Sequence, residues 1–282
     1  MKSSHLPGRI VKGSGTAVDK PAEGRPTLRT SRKERPSVEL LCEVVFRPLA
    51  HLVVLALLPL RVPPPAVVFA ATVTGLAAAV ELGRGNLVLA AILLQVKTVL
   101  DNADGQLARA SGRVSVFGRY LDSESDLLID AGLFAALGYL TARPWLALVS
   151  FLVLTFVLSV DFNLERLYRI ERGETREARP EATGAAAVLA RVYDAVYAPQ
   201  DRLVERLVDA QLRRLPAGPA PRLAYHDRPT LMVLANLGLS TQLAILGACL
   251  LLGHPAAYLW FALACGLLLV PLALRRQRLA HA

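Results

Sequence analysis

The apolar residues of this chain are gathered into long blocks with the charges placed between them, and that arrangement limits the possible folds more than anything else in the sequence. About 20 apolar helical residues cross the hydrocarbon layer of a bilayer. Six blocks approach that length: Pro65 to Leu82, Leu87 to Leu100, Gly118 to Leu140, Trp145 to Val160, Leu231 to Leu252, and Pro255 to Leu274. A soluble domain of 282 residues is seldom 54% hydrophobic. The expected fold is therefore all-α, a polytopic membrane protein with six transmembrane helices.

The segment Pro48 to Leu60 is apolar but too short to span. Arg47 and Arg61 flank it, and Pro63, Pro64 and Pro65 follow. It reads as an N-terminal interfacial helix. Charge bias supports this choice. With six spans, nearly all Lys and Arg fall in the N-terminal tail, in Asp101 to Arg113, in Asn163 to Arg228 and in the C-terminal tail, while the opposite loops hold little beyond Arg84 and Arg143. Basic segments mark the cytoplasmic side, so both termini are expected there. The expected location is the cell (inner) membrane, crossed several times. A net charge of +9 then reflects facing an anionic leaflet. No nucleic-acid partner is expected, because no binding motif or stacking aromatic series accompanies the charge.

Residues 1–38 read as a disordered basic tail and 39–282 as the membrane domain. No apolar stretch follows Lys2, Arg9 and Lys12, so the N-terminus does not read as a secretory signal. Residues 163–228 form the largest polar insertion, with an amphipathic helix over Ala185 to Val208 suited to the membrane surface. Cys42, Cys249 and Cys265 lack the spacing of a zinc site and read as buried thiols.

The chemistry concentrates in Asp101-Asn102-Ala103-Asp104-Gly105-Gln106-Leu107-Ala108-Arg109, followed by Gly118, Asp122 and Asp126. Asp101 and Asp104 are three apart, and Asp122 and Asp126 four apart, so each pair shares a helix face. The short connection makes the two helices expected antiparallel neighbours, with all four carboxylates converging. Clustered carboxylates repel unless cations offset them, and hard oxygen ligands select Mg²⁺ or Mn²⁺. Gly105, Ala108 and Gly118 leave room for a nucleotide or for close helix contact, and Arg109 offers a planar fork for phosphate.

These residues satisfy the pattern D-x2-D-G-x2-A-R-x8-G-x3-D-x3-D at all eight fixed positions. The pattern resembles the signature of the CDP-alcohol phosphatidyltransferase family. The resemblance implies that Asp101, Asp104 and Asp122 ligate two metal ions with Asp126 close by. It further implies that Gly105, Ala108 and Arg109 cradle the CDP moiety and that Asp126 is the general base on an acceptor hydroxyl. It implies a homodimer, a CDP-linked donor and an alcohol acceptor, with CMP released. CDP-diacylglycerol is the favoured donor, a soluble CDP-alcohol the alternative, and a divalent-cation transporter the rival from another class.

Other residues divide between roles. Lys97 either meets a phosphate or the acceptor, or pairs with Asp101 one turn on. Arg113 and Arg119 are candidates for a phosphorylated acceptor, or mark the interface. Asp130 continues the Asp122 and Asp126 face and reads as structural. Asn236, Ser240, Thr241 and Gln242 read as interhelical hydrogen-bonding groups, and His226 as a solvated loop residue.

Overall fold

The computed structural model describes residues 35–174 and 182–281. The basic tail read over residues 1–38 therefore lies outside the described residues up to position 34. Among the described residues the chain is helical, without strands: a π-turn at Cys42–Phe46 leads into α1 (Arg47–Leu57), then α2 (Pro64–Gly83), α3 (Leu87–Ala110), α4 (Val116–Leu140), α5 (Pro144–Glu171), α6 (Ala185–Leu212), α7 (Pro219–Tyr225), α8 (Arg228–Ala235), α9 (Leu239–Leu251) and α10 (Pro255–His281).

Four segments are long and apolar enough to cross a membrane: α2, α5, the run α7 to α9, and α10. Their outward faces carry large apolar side chains, among them Phe69 on α2, Trp145 and Leu152 on α5, and Trp260 and Leu267 on α10. A polar solvent penalises such a surface, whereas lipid does not. α3 and α4 are equally long, but they carry Lys97, Asp101, Asp104 and Arg109, and Arg119, Asp122, Glu124, Asp126 and Asp130.

α3 runs well past Leu100, where the apolar block ends, so the first half of the signature is helical rather than loop. Polarity alone does not end a helix. Gly112 does, with φ of +66°. Arg113 N donates to Ala108 O (2.9 Å) and Gly112 N to Arg109 O (3.2 Å), which closes the last turn. α4 then begins at Ser115, whose Oγ accepts from Gly118 N at 3.0 Å.

The main core joins α2, α3, α4, α5, α9 and α10 through residues such as Leu82, Leu94, Leu133, Leu154, Leu246 and Leu259. α2 packs along both α3 and α4. Gly75 makes this possible: a Cβ there would sit 2.7 Å from the Ile129 Cδ1 atom. α3 and α4 are not packed backbone to backbone as expected of sequence neighbours. They meet instead through the side chains of Asp101, Asp122, Asp126 and Lys97.

The fifth apolar block is two helices. α8 is capped by Asp227, which accepts from Thr230 N at 3.1 Å, and it stops before Gly238. Residues 36–41 are strapped across this break. Asn236 accepts from Leu40 N and donates to Val38 O, both at 2.9 Å. Glu39 accepts from Thr241 N and Thr241 Oγ1, both at 2.8 Å. Burial holds the Glu39 carboxyl above its ordinary range, against the lowering effect of the Thr241 bonds. α1 buries Ala50 and Val54 against Ala103 and Leu107 of α3, and it leaves Leu49, Leu52 and Leu55 exposed.

Candidate active site

Asp101 of α3 meets Asp122 and Asp126 of α4, with one carboxylate oxygen from each lying within 4.8 Å of the others. Asp104, one turn on from Asp101, is 7% exposed. Its Oδ2 is buried without a hydrogen-bond partner. An unpaired buried carboxylate oxygen costs on the order of 1–3 kcal/mol or more, so this oxygen suits a cation. The donor set is hard oxygen throughout, and three to four carboxylates fit Mg²⁺ or Mn²⁺ rather than a thiolate- or imidazole-seeking metal.

Lys97 lies inside this cluster. It is 1% exposed, with Nζ 2.9 Å from Asp101 Oδ1 and 2.5 Å from Asp126 Oδ1. Of its two sequence readings, the ion pair with Asp101 is present, and the bond to Asp126 across the helix gap is added to it. One ammonium thus offsets part of the repulsion among the carboxylates.

Gly105 faces the Arg109 guanidinium, whose Nη1 would lie 3.3 Å from a Cβ at that position. Arg109 lies in electrostatic reach of Asp104, Arg47 and Arg35. Gly118 has a local role as well as an open surface, because a Cβ there would approach the capping Ser115 Oγ at 3.0 Å. Ala108 is half-buried on the last turns of α3. Arg113 turns to the Arg61 carbonyl at 3.5 Å. Arg119 is exposed on the first turn of α4. Among the described residues no hydrogen bond joins either arginine to the carboxylates.

Several neighbours of the site were not legible in the sequence. The π-turn and α1, which follow the strap, reach α3 through Cys42 Sγ, 3.0 Å from Asn102 Oδ1, and through the Arg47 carbonyl, which accepts from Gln106 Nε2 at 3.2 Å. Glu124 is buried, and neither of its carboxylate oxygens has a partner. α6 packs on α4 and α5. Asp201 accepts from Ser159 Oγ (2.9 Å), Asn163 Nδ2 (2.7 Å) and Tyr193 OH (2.8 Å). Burial first, then the carboxylates of Asp130, Asp126 and Glu124, push the Tyr197 hydroxyl above its ordinary range. The only hint in the sequence was a pair of tyrosines four apart on an arginine-rich helix.

The weaker candidates fall into place. Asp130 is 5% exposed, one turn beyond Asp126. Gln242 is fully buried and bonds the Leu237 carbonyl and Tyr258, as interhelical groups do. His226 is not solvated. It is buried against Arg276, whose Nη2 is 3.3 Å from Nδ1. It belongs to the packing of α7 on α10.

The model of one protein family, the CDP-alcohol phosphatidyltransferases, matches residues 52–196. The chain belongs to the CDP-alcohol phosphatidyltransferase family. The match takes in α2, α3 and α4, and with them both halves of the carboxylate cluster. Among curated proteins, an archaetidylinositol phosphate synthase of Pyrococcus horikoshii is 50% identical over 58 residues, 21% of this chain and 31% of that protein. A bifunctional IPC transferase and DIPP synthase of Thermococcus kodakarensis is 40% identical over 82 residues, 29% of this chain and 19% of that protein. A protein of the same description from Aquifex aeolicus is 40% identical over 57 residues, covering 20% of this chain and 13% of its own. The chain thus spans under a third of the length of each of these relatives. No solved structure matches it. Membership of this family, with four apolar helices, makes the chain a multi-pass membrane protein.

Proposed function

We propose that this chain is a phosphotransferase of phospholipid biosynthesis, moving a phosphatidyl or phosphoalcohol group from a CDP-linked donor to an alcohol and releasing CMP. The observation that carries the reading is the convergence of Asp101, Asp122 and Asp126 from two helices, in a chain of this family. CDP-diacylglycerol is the favoured donor. The name of the P. horikoshii relative favours inositol phosphate as the acceptor. A soluble CDP-alcohol donor is the second reading.

Asp101, Asp104, Asp122 and Asp126 would hold divalent metal, two ions by family resemblance, which would neutralise the donor pyrophosphate. Gly105, Ala108 and Arg109 form the face that takes the CDP group, with Gly118 across the gap. Asp126 accepts the proton of the acceptor hydroxyl, since an alcohol near pH 7 is a weak nucleophile. That oxygen forms a bond to the phosphorus distal to cytidine. The phosphorus–oxygen bond to CMP breaks, and CMP leaves with the electron pair. Lys97 orients Asp126 and keeps its carboxylate paired until the acceptor arrives.

The membrane arrangement proposed is six spans, with α3 and α4 among them. Their outward Val88, Leu89, Ile92, Val96 and Leu128 favour lipid contact, and their charged residues turn into the gap. The arginine bias of the sequence puts both termini and the site on the cytoplasmic side. A homodimer is part of the same reading.

The test uses the full chain in detergent with CDP-diacylglycerol, Mn²⁺ or Mg²⁺, and separate acceptors: inositol phosphate, glycerol 3-phosphate, inositol and serine. Products are identified by mass spectrometry. A metal-dependent phosphodiester with one acceptor supports the proposal. Metal binding without product, with lipid or soluble CDP donors alike, would leave cation transport as the better explanation.

A further inference from the structure

Asp101, Asp104, Asp122 and Asp126 are four carboxylates, and two divalent ions would balance their charge with no help from the protein. The chain nevertheless places a cation of its own among them. Lys97 is 1% exposed, with Nζ 2.9 Å from Asp101 Oδ1 and 2.5 Å from Asp126 Oδ1. Position 97 is not among the eight fixed positions of the signature, which begin at Asp101. The signature therefore does not account for this ammonium.

Lys97 does not serve the four carboxylates alike. It bonds Asp101 and Asp126 and not Asp122, although an oxygen of each of these three aspartates lies within 4.8 Å of the others. Asp104 Oδ2 is buried with no partner. The cluster thus has an answered side, Asp101 and Asp126, and an unanswered side, Asp104 and Asp122. Carboxylate oxygens hold Mg²⁺ at about 2.0–2.1 Å. An ion bridging the two oxygens that Lys97 bonds would need the space that Nζ fills. Two cations that close repel each other. A lysine pushed aside would leave its charge unpaired in an apolar interior, which is costly. An ion on the side of Asp104 and Asp122 meets neither penalty.

We infer that Lys97 is a resident cation at one of the two metal positions. A first divalent ion then binds tightly on the side of Asp104 and Asp122, and a second enters only weakly, against the ammonium. This rests on the metal-site reading above and adds to it the order in which the ions load. It also keeps metal off Asp126, the proposed base, while only the first ion is bound.

The experiment is Mn²⁺ binding by the full chain in detergent, without donor or acceptor, followed by electron paramagnetic resonance. Free Mn²⁺ is counted from its solution signal, and a bound pair is recognised by its spin coupling. Wild type, Lys97→Met, Asp126→Asn and Asp104→Asn are titrated side by side, with a melting curve for each. Wild type is expected to bind one ion tightly and a second about 5- to 150-fold more weakly, as coupled sites do. Lys97→Met should narrow that difference and show the coupled pair at lower Mn²⁺. Asp126→Asn should keep the tight ion, and Asp104→Asn should weaken it. Two ions of equal affinity in wild type overturn the inference whatever the variants do. So does an unchanged difference in folded Lys97→Met, or a tight ion lost in Asp126→Asn and kept in Asp104→Asn. The metal site itself survives each of these results. No Mn²⁺ bound by wild type would sink both the inference and the metal-site reading beneath it.

Discussion

Lys97 Nζ reaches across from α3 to Asp126 Oδ1 of α4 at 2.5 Å while also holding Asp101 on its own helix at 2.9 Å. One buried cation thus ties together the two helices that carry the signature. Removing it leaves carboxylates facing each other without compensation. Breaking a buried pair from one side typically costs about 3–5 kcal/mol. The Asp side chains retain some exposure, so Lys97→Met should cost toward the lower end, about 3 kcal/mol. Divalent metal should restore part of that loss, because it answers the same charge. Thermal unfolding in detergent with Mn²⁺ and with EDTA measures both effects. Equal melting of wild type and variant in EDTA would refute the role given to Lys97.

Helix packing around the site depends on Gly75. A methyl there would lie within 2.9 Å of three atoms of Ile129, which is 1% exposed and has nowhere to move. Gly83, on the same helix, would meet its nearest neighbour at 3.9 Å. Gly75→Ala is expected to destabilise by about 1–3 kcal/mol. Gly83→Ala should be neutral or slightly stabilising, as expected of Gly to Ala in a helix. Paired melting curves decide the matter, and a reversed order would be incompatible with the described contact of α2 on α4.

The strap over the α8–α9 break gives a third expectation. Asn236→Ala leaves Leu40 N and Val38 O without their side-chain partner. A loss of about 1–2 kcal/mol should appear together with faster proteolysis near residue 40. Because the strap leads into Cys42 and Arg47, which bond Asn102 and Gln106 of α3, CMP release should fall as well. Wild-type protease resistance would mean that the strap is held elsewhere.

Asp201 is the anchor of α6. Asp201→Asn puts an amide among three donors and loses the charge-assisted bonds from Ser159, Asn163 and Tyr193. Limited proteolysis within residues 182–213 should become faster. Unaltered cleavage would show that the apolar contacts of Val204 and Val208 suffice.

The sequence made some of this plain and concealed the rest for physical reasons. The ends of α2, α4 and α10 follow the apolar blocks to within a residue or two at the N-terminal side, because burial and lipid exposure both demand apolar runs. The end of α3 did not follow, since Gly112 rather than polarity stops that helix. The convergence of Asp101, Asp122 and Asp126 was legible from spacing on two helices. The place of Lys97 was half legible: Asp101 is one turn away, but Asp126 is on another helix. Glu124 was hidden between Asp122 and Asp126, on the opposite side of α4. The break at Asn236 to Gly238 depends on Glu39, some 200 residues earlier, and the burial of His226 depends on Arg276, 50 residues later. Contacts of that range leave no local mark.

On the function proposed above, the converging carboxylates perform CDP-alcohol transfer and Asp126 takes the acceptor proton. The direct measurement is CMP release by wild type and Asp126→Asn, side by side, with saturating donor, acceptor and Mn²⁺. Wild type should release CMP only with metal. The variant should lose on the order of 10²- to 10⁴-fold in rate while still binding the CDP-linked donor. Undiminished release by Asp126→Asn would contradict the assignment of the base, and wild-type release that persists in EDTA would contradict the metal site itself.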